Sequence, residues 1–147
     1  MNTDSYFIKR VGTAKMIGMA FGFLGFFLIP YFWPGQSMWL RVGILLWYTT
    51  LGAMIGIMGI FDHHPMLKFR MPFWVRGPVF GAWFNLVLAF LMHDKLSILM
   101  QQLGGVFSGI SSPFWIVLEG AVLGLVIDAV ATKTAGEGMP APETPTV

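Results

Sequence analysis

Long uncharged apolar stretches, separated by short clusters of polar and helix-breaking residues, set the rhythm of this chain. The first runs from Met16 to Trp33 (MIGMAFGFLGFFLIPYFW), with Pro30 near its end. The second, Val42 to Phe61, matches the roughly 20 apolar residues that a helix needs to cross a bilayer and stops at Asp62-His63-His64-Pro65, a helix-breaking run. The third, Gly77 to Met92, is short by that measure, so Trp74 and Val75 join it and Arg76 is expected to snorkel toward water. The fourth, Pro113 to Val130 (PFWIVLEGAVLGLVIDAV), follows Ser111 and Ser112, and a hydroxyl cap with proline in the first turn is a helix start. Between the third and fourth, Leu96 to Phe107 is apolar at helical spacing but broken by Gly104 and Gly105. It reads as a short helix lying at the surface or re-entering partway.

The pattern predicts an all-α, integral membrane four-helix bundle with a short interfacial helix between spans three and four. The spans fall at about 16–33, 40–61, 74–92 and 113–132 within a transmembrane domain 16–132. An N-terminal segment, 1–15, precedes it. A tail, 133–147, is too rich in Ala, Gly, Pro, Thr and Glu to fold and is expected to be disordered.

Composition narrows the function classes. With 56% hydrophobic and 11% charged residues, the 147-residue chain is too apolar for an ordinary soluble domain. Its lack of cysteine removes disulfides, thiolate metal ligands and thiol catalysis together. The net charge of +2 carries no basic patch of the kind nucleic acid requires. Its distribution says more than its size. One side of the membrane receives Lys9, Arg10, Lys15, Lys68, Arg70, Arg76 and Lys133, the other only Arg41 and Lys95, which places both termini in the cytoplasm, with a bacterial inner membrane as the expected location. A basic start before an apolar run also describes a signal peptide, yet this run ends in Tyr31, Phe32, Trp33 and Pro34 rather than in small residues, so it is read as a retained span.

Each span carries a glycine pair at i, i+4: Gly18 and Gly22, Gly52 and Gly56, Gly77 and Gly81, Gly120 and Gly124. Glycine at that spacing clears a groove for close backbone approach, and four pairs in four spans point to tight helix packing. Spans three and four also resemble each other, Gly77-x3-Gly81-x3-Asn85 against Gly120-x3-Gly124-x3-Asp128, each preceded by Pro-Phe-Trp. Two such helices running oppositely suggest an inverted repeat, although matches this short arise easily.

The intramembrane polar residues are Asn85, Glu119 and Asp128. At about 100° per residue, Asp128 shares a face with Gly120 and Gly124 while Glu119 lies half a turn away, so the two carboxylates need separate partners. An ionised carboxylate in hydrocarbon costs at least ~2.5 kcal/mol. Asp128 is near the end of its span, within reach of Lys133 or water. Glu119 is roughly 9 Å in from Pro113; it is either a proton or cation carrier or a structural group, and a contact with Asn85 is feasible by depth.

Asp62, His63 and His64, with His93, invite a metal reading. No second cluster completes a tetrahedral set, so a solvated turn is preferred and no metal or cofactor is expected. Eleven methionines read as gap-fillers, Met54 and Met58 included, rather than as soft-metal ligands. Lys68, Arg70 and Arg76 alternate with Phe69, Phe73 and Trp74, a mixture suited to the headgroup layer; Lys68, Arg70, Trp74 and Arg76 are therefore expected to face lipid or a partner. Nothing resembles a nucleophile with its base or a catalytic dyad. The expected function is a non-enzymatic subunit or assembly or stabilising factor of a larger membrane complex, with the bilayer and other subunits or itself as partners. The alternative is a homo-oligomeric, proton- or ion-linked small transporter or channel using Glu119.

Overall fold

The computed structural model describes residues 3–61, 63, 68–103 and 112–138. They form α1 (Thr3–Phe32), α2 (Met38–Met58), α3 (Phe73–Leu91), α4 (His93–Leu103) and α5 (Trp115–Ala135). Four of these, all but α4, are long and apolar enough to span a membrane. The chain is an all-helical, multi-pass integral membrane protein.

Glycine decides which helices meet. Gly18 of α1 faces Gly52 of α2, where a Cβ on Gly18 would sit 2.9 Å from the Gly52 Cα. Gly22 meets Leu45 and Gly56 meets Val11, so the contact runs antiparallel. The second pair repeats the device: Gly77 packs on Gly124 and Gly81 on Gly120. A Cβ on either of the last two would overlap the carbonyl oxygen of the other. In lipid, where burying apolar surface gains little, such backbone proximity supplies the packing that holds helices together.

The likeness between α3 and α5 has a packing meaning. The Cβ of Asp128 lies 2.9 Å from where a Gly77 Cβ would be, and that of Asn85 lies 2.6 Å from a Gly120 Cβ. Each helix thus covers the first glycine of its partner with its own polar residue. The two motifs are the halves of one antiparallel interface.

The hairpins α1–α2 and α3–α5 meet around Ala14, Tyr48, Leu51, Ile55, Ile127 and Ala131, all buried. Outward-facing side chains are large and apolar, Phe27, Trp83, Phe90 and Val122 among them, as a lipid-facing surface requires. Tyr31 and Trp39, each about four-fifths exposed, flank the α1–α2 turn in the position of an interfacial aromatic belt. That turn contains Gly35 at φ 83°, and Ser37 caps α2 by accepting a hydrogen bond from the Leu40 N–H.

Several expectations are corrected. Helix α1 begins at Thr3, not at Met16, because the basic start continues the helix and buries Arg10 and Tyr6 in the bundle. Helix α5 starts at Trp115, with no side-chain cap on its first turn; Ser112 accepts from the Phe114 N–H instead. It runs through Lys133, and Gly136 and Glu137 beyond it are tied to the bundle, so the start of the expected tail is structured. Helix α4 is amphipathic, with Leu96 and Met100 buried and Asp94 and Lys95 exposed. Asp62, His64, Gly104, Gly105, Ser111 and residues 139–147 lie outside the described residues.

Candidate functional site

Polar side chains inside the bundle form a charged cluster at one end and smaller groups further along it. At the end that holds the start of α1 and the end of α5, Asp128 is wholly buried and binds two arginines. Arg76 donates from Nε to Oδ2 at 2.9 Å and from Nη2 to Oδ1 at 3.0 Å, the bidentate fork of a guanidinium on a carboxylate. Arg10 donates from Nη2 to Oδ1 at 2.5 Å and to the Thr132 hydroxyl at 3.1 Å.

Other guanidinium hydrogens tie down the segments that flank the helices. Arg76 Nη1 reaches the carbonyls of Met71 at 2.9 Å and Phe61 at 3.3 Å, and its Nη2 reaches Glu137 at 3.3 Å. Arg10 Nη1 donates to the carbonyl of Gly136, which also accepts from the Tyr6 hydroxyl at 3.3 Å. Gly59, just past α2, has no side chain because the Arg10 guanidinium lies where its Cβ would be. Two arginines against Asp128 and Glu137 form a balanced charge clasp. Within it, Arg10 Nε is the one buried side-chain nitrogen or oxygen, among the described residues, that lacks a hydrogen-bond partner.

Arg76 therefore corrects the expectation that it faces the headgroup layer. It is 1% exposed, because a carboxylate four helical turns along the facing α5 is a better partner than water. Lys68, Arg70 and Trp74 do face outward. Asp128, fully buried, binds not Lys133 but the two arginines, of which Arg10 was missed. The signal was present: Arg10, Ala14, Gly18 and Gly22 follow at i, i+4 and so lie on the groove face of α1.

Midway through the bundle, Asn85 is fully buried and bridges three helices. Its Nδ2 donates to the Ile116 carbonyl at 2.8 Å and its Oδ1 accepts from Trp47 Nε1 at 3.2 Å. Among the described residues, no hydrogen bond joins it to Glu119. The partner of Glu119 is Tyr48, whose hydroxyl lies 3.0 and 3.1 Å from the two carboxylate oxygens. Tyr48 also escaped the sequence reading, although it stands at i, i+4 from Gly52 on the packed face of α2.

At the opposite end from the clasp the hairpins part and leave a cavity of about 440 Å³. Its walls come from the second half of α1 and the first halves of α2 and α5, with the end of α3 and one face of α4 completing them. Tyr48 and Glu119 are its ionisable lining residues, and everything else that lines it is apolar or glycine. Glu119 remains exposed on this side. No group of three or more potential metal-ligating side chains occurs among the described residues. Comparison with known proteins returns no match to a family model, a curated protein or a solved structure.

Proposed function

We propose that the protein is a non-catalytic component of a bacterial inner membrane, with both termini cytoplasmic, acting as a subunit or an assembly or stabilising factor of a larger complex. What supports this reading is how its polar groups are arranged. At one end the buried charges neutralise one another within the chain. At the other, a single carboxylate and a phenol face an apolar cavity. Acid–base or nucleophilic turnover needs a second group beside the first, a base for the nucleophile or an acid for the leaving group. A lone carboxylate at an apolar cavity is equipped to hold something rather than to transform it.

The glycine faces do not add to the case for partners, since all four pairs are engaged between α1 and α2 or between α3 and α5. Contact with another subunit then falls to the outward apolar faces, such as Val79, Trp83 and Leu86 around a groove of α3. Purification in mild detergent with native mass spectrometry is the test. A defined assembly with another membrane protein is expected, and a monodisperse monomer without a partner overturns the reading.

The transporter reading retains one favourable observation, the exposure of Glu119 to the cavity. Against it, Asn85 and Asp128, the other intramembrane polar residues, are fully buried, and Asp128 is held in the clasp. Flux into liposomes that Glu119→Gln abolishes would favour transport over the subunit role.

A further inference from the structure

We propose that the cavity at the open end binds a lipophilic amine, an apolar molecule carrying one protonated nitrogen that donates to Glu119. This rests on the holding role argued above and names the chemistry of what is held. Ligand cavities commonly measure about 300–1,000 Å³ and combine apolar walls with a few polar groups that fix orientation. Here the volume is about 440 Å³, lined by Phe21, Ile44, Leu88 and Leu123 together with Leu96 and Met100 of α4.

The polar end selects the charge. An ionised carboxylate only accepts hydrogen bonds, and each of its oxygens offers more than one acceptor site. The Tyr48 hydroxyl has one hydrogen, shared at 3.0 and 3.1 Å between both oxygens, so a carboxylate that lines the cavity keeps acceptor sites that Tyr48 does not fill. Among the described residues, no lysine, arginine or histidine lines the cavity to fill those sites. A carboxylate in apolar surroundings is costly alone and much less so beside a cation that hydrogen-bonds to it. A protonated amine supplies both the charge and the N–H donor.

The same geometry disfavours other occupants. An anion would meet the carboxylate with its own charge. A phospholipid would set its phosphate against the like charge of Glu119, which lies one turn into α5. A neutral carbonyl compound needs a donor and meets a carboxylate whose one hydroxyl neighbour already points at it.

The full chain in lipid nanodiscs is titrated with 3-(2-naphthyl)propylamine and with the alcohol, carboxylic acid and methyl ketone of the same skeleton, followed by calorimetry. The amine is expected to bind at least about tenfold more tightly than the alcohol, acid or ketone, the usual range for one charge-assisted contact. Glu119→Gln should erase that preference while the alcohol's affinity holds, and Leu123→Trp, which fills the cavity, should abolish binding of all four. Circular dichroism verifies that both variants keep their helices. Equal binding of amine and alcohol, an unchanged preference in Glu119→Gln, tighter binding of the ketone, or no binding by any of the four to the folded protein overturns the proposal. The subunit role stands or falls separately, on what co-purifies.

Discussion

The carbonyl oxygen of Phe26 accepts a hydrogen bond from Nε of Arg41 at 2.9 Å, and the same guanidinium lies 4.2 Å from the centre of the Phe26 ring. The contact has a local cause. In a helix the Phe26 carbonyl takes its hydrogen from residue 30, which is proline and has none. Arg41, in the first turns of α2, supplies the missing donor at a depth where an unmet carbonyl is costly.

Arg41→Leu should therefore lower stability by about 1–3 kcal/mol, the cost of an unsatisfied buried acceptor. Pro30→Ala restores the helical N–H, so the double variant should recover most of the loss. Thermal unfolding in detergent, run as a double-mutant cycle, checks this. Additive effects would show that the proline and the arginine are unconnected.

Removing the shared carboxylate of the clasp should be worse than removing either cation. Asp128→Ala strands Arg10 and Arg76 together, whereas Arg76→Gln leaves Asp128 with Arg10. Breaking a buried pair by deleting one partner costs about 3–5 kcal/mol, and Asp128→Ala is expected at the top of that range. Thermal unfolding of the two variants side by side reads the order directly.

Glycine replacements should sort by what a Cβ would meet. Gly81→Ala and Gly120→Ala drive a methyl into a facing carbonyl and should destabilise by about 1–3 kcal/mol, the usual cost of overpacking. Gly12→Ala and Gly43→Ala meet nothing within 4 Å. Both sit in helices, so they should be neutral or gain up to about 1 kcal/mol. Similar losses at all four positions would refute the interface between α3 and α5.

Lys68→Gln with Arg70→Gln should weaken retention of anionic lipid without harming the fold. Both side chains are exposed, and each cation near an anionic surface contributes about 1 kcal/mol, roughly 2 kcal/mol together. The expected readout is fewer anionic lipids co-purifying in native mass spectrometry, with unfolding temperature unchanged. Arg76→Gln, on the same segment, should instead lower the unfolding temperature, because Arg76 holds Asp128.

Fusion reporters at both termini should report the cytoplasm. The bias of seven Lys and Arg against two predicts it, and reporters on opposite sides would contradict the four-span arrangement.

The membrane character, the four spans and the intervening short helix were legible in the sequence because each rests on local quantities: length of apolar run, breaker residues and glycine at i, i+4. So was the need of Asp128 and Glu119 for separate partners, which follows from helix periodicity alone. The partners themselves were not legible. Arg10 and Asp128 are 118 positions apart, and Arg76 reads as a headgroup residue until the packing of Gly77 on Gly124 turns it toward α5. The glycine pairs announced close contacts without saying whether they lay within the chain or between chains; only the antiparallel fit of α1 on α2 and α3 on α5 decided that. The cavity was decided last of all, since it exists only where two tight hairpins, clasped by charge at one end, diverge at the other, and no single segment encodes a space between segments.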